Sequence, residues 1–409
     1  MSHQPITSLR LLTPSLLTVI LLIVTLMQLS ADLYTPSLPA IASALSSNTE
    51  TIQLTLSLFM LGFGASHVFY GPLSDRIGRK IPMVLGIGIS IIGSLICYHA
   101  ITATTLILGR FIQGFGIGCC NSVGRSVARD LLHGRMLAKI GSQIGMVSVI
   151  ILAISPTIGG YVQHYFGWRA NFLLLLVFNL FVWLLILVYL PETNQHKNPA
   201  ATQFRVMARN YGRLLQSRTF MGYTLCACSA SAGIIAYFTI APFLFQIQLG
   251  LTPVQFGWLA FIVAGSIFVS GLINTHLVLR KGVRLMVLWG CIFMLIGGCF
   301  MLFFICLGLV NILVIMLPMS IFSIGAGLTF INAFAGAFNP FPKMAGTTGA
   351  LYGCLQDLSS AFASAIVAIV KETDQTILAL LLIVVSIFSL LSWRYLANHT
   401  PVLNDPATS

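Results

Sequence analysis

Charge is what this chain has least of. Its 409 residues include nine acids and twenty-one lysines and arginines, 7% charged in all. Soluble domains carry about 25%, so a polar shell around a water-facing globule is excluded. Catalytic and ligand-binding signatures are also missing. There is no Gly-x-x-x-x-Gly-Lys-Ser/Thr loop to cradle a nucleotide phosphate. The nine cysteines (Cys97, Cys119, Cys120, Cys226, Cys228, Cys291, Cys299, Cys306 and Cys354) all fall inside apolar runs, without the clustered, loop-borne spacing of a zinc site. His67, His133 and His164 are scattered over different loops and spans. No catalytic set, metal or cofactor is therefore expected.

What is present is apolar. Hydrophobic residues make up 57% of the chain and mean hydropathy is +0.95. Runs of about 20 such residues, each long enough to cross a hydrocarbon core roughly 30 Å thick, recur along the whole length. They predict an all-α membrane protein with twelve spans at 14–41, 51–71, 81–100, 104–126, 138–162, 170–190, 219–246, 255–279, 284–306, 310–336, 344–370 and 375–396. Pro340 and Pro342 crowd the turn between the tenth and eleventh.

The formal charge of +12 is read as topology and not as affinity for nucleic acid. Bases fall at alternate loops. Arg76, Arg79 and Lys80 follow the second span; Arg125, Arg129, Arg135 and Lys139 follow the fourth. Lys197, Arg205, Arg209, Arg213 and Arg218 separate the sixth from the seventh. Arg280, Lys281 and Arg284 follow the eighth and Lys343 the tenth, whereas the opposite loops hold Arg169 and Lys371. A Lys/Arg excess marks cytoplasmic loops, which puts both termini inside. Arg10 and the run after it lack a small-x-small cleavage site and are read as an uncleaved first helix.

The longest polar stretch, residues 192–217, divides the spans six and six. The chain is thus read as a first six-helix bundle (1–191), a cytoplasmic linker (192–217) and a second bundle (218–409). A faded repeat supports this: Gly71-Pro72-Leu73-Ser74-Asp75-Arg76 closes span two, and Gly271-Leu272-Ile273-Asn274-Thr275-His276 closes span eight. Nothing calls for more than a monomer.

Three ionisable residues lie deep in spans. Asp32 stands sixteen residues beyond Leu16, roughly 24 Å along the helix. A charged carboxylate there costs about 2.5–3.5 kcal/mol on insertion scales, so Asp32 is a candidate proton carrier. Pro36 and Pro39 beyond it should bend the helix or end its regular bonding. Arg110, in mid-span, stays charged and must face protein or water; Gln113 shares its face one turn on. Asp357 could attract a cationic cargo, carry a second proton, or pair with a polar group inside the second bundle. Tyr34, Phe59, Met60, Met146, Tyr237, Phe238, Phe243, Phe330 and Phe334 are candidates to line an apolar cavity, since rings and methionines suit adaptable binding, and Gln113 is a candidate polar member of the same cavity.

Five stretches together resemble the drug:proton antiporters of the major facilitator superfamily, in particular the bicyclomycin/chloramphenicol-resistance group. They are Ser30-Ala31-Asp32-Leu33-Tyr34-Thr35-Pro36-Ser37-Leu38-Pro39; the charged turn Gly71-Pro72-Leu73-Ser74-Asp75-Arg76-Ile77-Gly78-Arg79-Lys80; Gly109-Arg110-Phe111-Ile112-Gln113-Gly114; Ser155-Pro156-Thr157-Ile158-Gly159-Gly160; and Leu190-Pro191-Glu192-Thr193. In the fifth span, Ser142, Ile151 and Ser155 stand where that group has glycines. The resemblance implies two six-helix halves rocking about a midplane site in a bacterial cytoplasmic membrane. It implies efflux of amphiphilic small molecules driven by the proton gradient; the alternative is a proton-coupled carrier of one metabolite, such as a siderophore or amino acid. By the same resemblance, Asp32 carries the proton and Arg110 ties its proton state to conformation. Gly71, Asp75, Arg76, Gly78 and Arg79 form a switch with Asp130, and Pro156, Gly159 and Gly160 kink the fifth helix.

Overall fold

A computed structural model of the chain describes residues 14–131, 134–195, 197, 199–341, 344–370 and 375–397. Arg10, His133, Pro342, Lys343 and Lys371 lie outside them. The described residues form helices: α1 (Pro14–Asp32), α2 (Leu38–Ala44), α3 (Thr49–Ile77), α4 (Lys80–Tyr98), α5 (Ala103–Leu131), α6 (Gly134–Phe166), α7 (Trp168–Tyr189), α8 (Phe204–Leu215), α9 (Arg218–Phe243), α10 (Pro253–Cys306), α11 (Ile312–Phe338), α12 (Ala345–Val370) and α13 (Gln375–Ser392). Among the described residues eleven continuous runs are long and apolar enough to cross a bilayer. The 54-residue α10 would be about 80 Å long if straight, far more than one crossing. It breaks at Gly282, whose φ of 77° and ψ of 158° suit glycine alone. Counting its two arms separately gives twelve crossings.

Two boundaries differ from the sequence reading, each for a local reason, and the break expected at Pro36 and Pro39 is present. The charged turn after the second span is mostly helix: α3 continues through Gly71, Pro72, Asp75 and Arg76, with the Ser74 hydroxyl donating to the Gly71 carbonyl at 2.8 Å. The turn itself is confined to Gly78 and Arg79. Next, α5 runs to Leu131, so Arg125 and Arg129 stand on a helix and not in a loop. The first span is broken just past its acid. There α1 ends at Asp32, a 3-10 turn covers Thr35–Ser37, and α2 resumes with Pro39 in its first turn, because prolines donate no backbone N–H to a continuing helix.

The bases collect at one end, hereafter the base-rich end. A polar network there ties the first six crossings together. The Glu192 carboxylate accepts from the backbone N–H of Arg79 (2.8 Å) and Lys80 (3.3 Å), satisfying orphan donors at the start of α4. The Arg79 guanidinium donates to Asp130 at 2.8 Å and to Asp75 at 2.5 Å, and Thr193 donates to the same Asp130 oxygen at 3.2 Å. Burial would lower the pKa of Arg79, but hydrogen bonds and charge from Asp130 and Asp75 outweigh it and hold the pKa above its ordinary value. Gly78 makes the network possible: its φ is 109°, and a Cβ there would run into the Glu192 carboxylate. Gly78→Ala is expected to lose about 1–3 kcal/mol through strain alone and to lower the thermal midpoint in detergent by several degrees. An unchanged midpoint would show that Glu192 and the turn move aside freely.

The first and last six crossings meet along two unlike seams. On one, α3 and α12 touch along their length. The Ser57 hydroxyl donates to Ser364 at 2.8 Å, Gly64 sits against the backbone of Leu358, and a Cβ at Gly71 would be 3.3 Å from Ala350. On the other, α6 and α10 meet closely near the end away from the bases. There Gly160 abuts the Pro253 carbonyl, and Thr157 donates to the Gly257 carbonyl at 2.9 Å. Toward the base-rich end, Gly141 and Gly145 of α6 and Gly265 and Gly271 of α10 have no neighbouring atom where a Cβ would stand. The short helix α8 lies over the base-rich ends of α3 and α12. Its Tyr211 shares a small cavity with Asp75 and Gly346, and burial pushes the Tyr211 phenol up to about 12.

Candidate functional site

Among the described residues the most buried charged side chain is Arg110, fully buried on α5. Its guanidinium lies between two rings, with 4.0 Å to the centroids of both Tyr34 and Phe59. One nitrogen, Nη1, donates to the Ser30 carbonyl at 2.9 Å and to Gln113 Oε1 at 2.5 Å, and Gln113 passes the chain on to Ser94 at 2.8 Å. Nε and Nη2 meet no acceptor among the described residues. Asp32 lies within electrostatic reach of this cation but makes no ion pair with it among the described residues. Its carboxylate accepts from Gln28 Nε2 at 2.5 Å instead and is 3% exposed. An arginine with two unmet donors thus stands near a carboxylate that has a different partner.

A cavity of about 490 Å³ opens beside the α3–α12 seam toward the base-rich end. Drug-sized ligands occupy pockets of about 300–1,000 Å³. Its polar wall comes from α3 and α5 (His67, Asn121, Ser122, Arg125, Arg129), and its apolar wall from Ile144, Phe334 and Phe338. Phe334 and Phe338 stack with centroids 4.1 Å apart.

At the cavity's inner edge, His67 binds Asp357. Nε2 lies 2.8 Å from Asp357 Oδ2 and Nδ1 2.8 Å from Ser122 Oγ, with Asn121 Nδ2 3.3 Å away. His67 is 1% exposed. The partner of Asp357 is thus on α3, among the first six crossings, and not inside the second bundle. Spacing along the chain hid this pair, since its members are 290 residues apart. The available signal was polarity alone, two ionisable residues in otherwise apolar spans. Arg125 has no separate signal in the sequence, since a base at the end of an apolar run reads as topology.

The remaining candidates divide by location. Of the predicted cavity residues, Phe334 lines this cavity; Tyr34 and Phe59 hold Arg110 instead. Met60, Tyr237, Phe238 and Phe243 are buried in packed interior, Phe330 is half-buried, and Met146 is exposed on α6. Tyr237 donates to the Met316 sulfur at 3.4 Å. These residues sit away from the base-rich opening or face other helices, and helix rotation in uniformly apolar spans is not encoded by hydropathy. Asp75 faces the start of α12 through the small cavity that Gly346 and Thr347 also line, and Arg76 donates to Thr202 at 3.0 Å. Arg79 and Asp130 both belong to the first six crossings, so their pair fastens that half internally.

The end away from the bases is shut. Gln53 donates to the Thr239 carbonyl at 3.3 Å, Gln246 to the Pro36 carbonyl at 3.0 Å, and Thr239 to Ser364 at 3.0 Å. Gly160 brings α6 against the Pro253 carbonyl across the two halves, while Gly159 against the Leu33 carbonyl and Asn171 on Ser37 (2.8 Å) and the Gly159 carbonyl (3.2 Å) bind the first half to itself. Neutral bonds of this sort contribute only about 0.5–1.5 kcal/mol each, which suits a closure that must open. A Cβ on Gly257 would stand 2.7 Å from the Pro156 carbonyl. Gly257→Val is expected to wedge this closure and raise thiol labelling of a cysteine placed at Gln53 by about tenfold. Unchanged labelling would mean that the α6–α10 contact does not hold the end shut.

Two bundles, a cavity open at one end, a sealed opposite end and charges buried at mid-span define a carrier that exposes its site to one side at a time. The profile of the Major Facilitator Superfamily matches residues 20–364, and the chain belongs to that superfamily. It is 29% identical to Multidrug resistance protein D of Escherichia coli (strain K12) over 392 residues, covering 96% of this chain and 98% of that one. It is 25% identical to the Bicyclomycin resistance protein homolog of Haemophilus influenzae over 377 residues, covering 90% and 92%. Among solved structures, a partially occluded inward-open form of the E. coli xylose transporter XylE aligns with a TM-score of 0.74 at 12% identity, covering 95% and 97% of the two chains. At that identity the likeness concerns the fold.

Proposed function

We propose that this carrier exports amphiphilic organic molecules across a bacterial cytoplasmic membrane in exchange for protons, with both termini on the cytoplasmic side. The observation that carries the reading is the pairing, at mid-span, of an arginine with unmet donors and a separately held carboxylate. With a proton on Asp32 the acid is neutral, content with Gln28, and Arg110 rests between its rings. When the proton leaves, the new negative charge is drawn to Nε and Nη2 of Arg110. That movement pulls α1 against α5 and biases the closure that α2, α6 and α9 build beyond it. Substrate in the base-rich cavity and a proton on Asp32 then favour opposite states, which makes exchange obligatory. The proton gradient is the energy source and no cofactor takes part. Orientation follows from the Lys/Arg excess at the cavity's open end. The names of the similar bacterial proteins, which concern multidrug and bicyclomycin resistance, support efflux of foreign compounds.

The test is gradient-driven transport in proteoliposomes, with a panel of amphiphilic cations, anions and neutral compounds. An imposed pH difference should drive accumulation of at least one compound, and adding that compound to detergent-purified protein should release protons. Binding without proton release, with transport indifferent to the gradient, would overturn the reading.

A further inference from the structure

We infer that the base-rich cavity selects amphiphilic anions: flat aromatic molecules carrying one acidic group, such as a carboxylate or sulfonate. The inference rests on the export reading above, whose cargo it specifies. Asp357 alone would suggest a cationic cargo, but the acids near the cavity are already engaged. Asp357 accepts from His67 at 2.8 Å, and Asp75 accepts from Arg79 at 2.5 Å. The guanidiniums feel the charge of the acids, Asp357 at Arg125 and Asp130 and Asp75 at Arg129, but form no ion pair with them among the described residues. Arg125 makes no ion pair among the described residues; its partner is the Phe334 ring, at 5.8 Å. Arg129 donates to the neutral Ser126 hydroxyl at 3.1 Å. The donors that face the cavity without an acid in contact are therefore those of these two guanidiniums.

The geometry supplies the rest of the ligand. Arg125 is exposed to the cavity, and its planar fork matches a carboxylate or sulfonate in two-point contact. Beside it, Phe334 and Phe338 stack with centroids 4.1 Å apart, and Tyr352 meets Phe334 edge-on at 5.7 Å. A flat ring laid on this cluster extends the stack while its acidic group reaches Arg125. An inorganic anion would leave the apolar wall uncovered. A cation would stand near two arginines, with Asp357 and Asp75 already in contact with His67 and Arg79.

The experiment uses three molecules of one shape: 2-naphthoate, 2-naphthylmethylammonium and 2-naphthylmethanol. Binding to the purified full chain is measured by calorimetry for wild type, Arg125→Gln, Arg125→Lys and Arg129→Gln. The anion is expected to bind most tightly. Arg125→Gln should weaken it about 10- to 100-fold, the size of a charge-assisted bond, and leave the neutral alcohol unchanged. Arg125→Lys should recover part of the loss. Tightest binding of the ammonium, equal weakening of all three, or an unaltered anion in Arg125→Gln would each overturn the inference. If Arg125→Gln fails to fold, Arg125→Lys and Arg129→Gln carry the same comparison, and unaltered anion preference in both overturns it. Gradient-driven transport of the same compounds separates the two claims. Proton-coupled transport of the ammonium or alcohol without anion selectivity sinks this inference and spares the export reading. Selective anion binding without proton-coupled movement does the reverse.

Discussion

Asp32→Asn is expected to abolish proton release on substrate binding and to leave binding itself nearly intact. Asparagine keeps the shape of the side chain and can still accept the bond from Gln28 Nε2 that now measures 2.5 Å. What it cannot do is exchange a proton. Release should fall from about one proton per bound molecule to none, as linkage requires of a single coupled site. The energetic consequence follows. One proton moving down a difference of one pH unit supplies about 1.4 kcal/mol, enough for a tenfold concentration of cargo. The variant should therefore equilibrate its cargo without concentrating it. Both quantities can be measured on one preparation, release by a pH-sensitive dye in detergent and accumulation in proteoliposomes. If the variant still releases protons, the coupling group lies elsewhere, and Asp357 with its partner His67 is the next to replace.

Arg110→Lys is expected to lower gradient-driven transport by about a hundredfold or more, although the charge is conserved. Arginine fills its site as a plane. It sits 4.0 Å from each of two ring centroids while Nη1 serves both the Ser30 carbonyl and Gln113. An ammonium is a compact, strongly hydrated point charge that neither stacks nor presents a fork. Loss of the stacking contributes about 2 kcal/mol at a desolvated site, and a charged hydrogen bond another 1.5–3 kcal/mol. Together these exceed the 2.7 kcal/mol of a hundredfold change. The variant would also lack the pair of idle donors to which an ionised Asp32 is drawn. Initial rates of transport at fixed gradient give the number; a loss below about tenfold would reduce Arg110 to a structural tether between α1 and α5.

Much of the architecture was legible before any coordinates, because an apolar run of a given length has few other uses. Asp32, Arg110 and Gln113 were equally visible: polar groups among Leu, Ile and Phe announce themselves, and a spacing of three puts Arg110 and Gln113 on one face. The meeting of Glu192 with Gly78 and Arg79 was present only as two separate resemblances, and the fold joins them across 113 positions. Less was visible where one physical signal stood for two structures. Charge after an apolar stretch reads as a loop, yet α5 carries Arg125 and Arg129 on as helix. A Gly-Pro pair reads as a turn, yet α3 passes through it. His67 was set aside because it had no partner nearby in the chain. Which rings face the cavity depends on helix rotation, and in spans apolar on every side no periodicity reports that angle.

The unequal seams between the bundles bear on how a cargo arrives. With α3 and α12 fastened along their length, the cavity's other flank is α6, which lines it with Gly141, Ile144 and Gly145. The surface beside it carries exposed apolar residues: Met146 and Ile150 on α6, Phe268 and Leu272 on α10. A surface of that kind suits acyl chains. A molecule that reaches the site from lipid does so at the concentration set by its oil–water partition coefficient and not by its aqueous dose. Potency ranked across a series of compounds should track that coefficient, and a mutation in the cavity would shift the line without changing its slope.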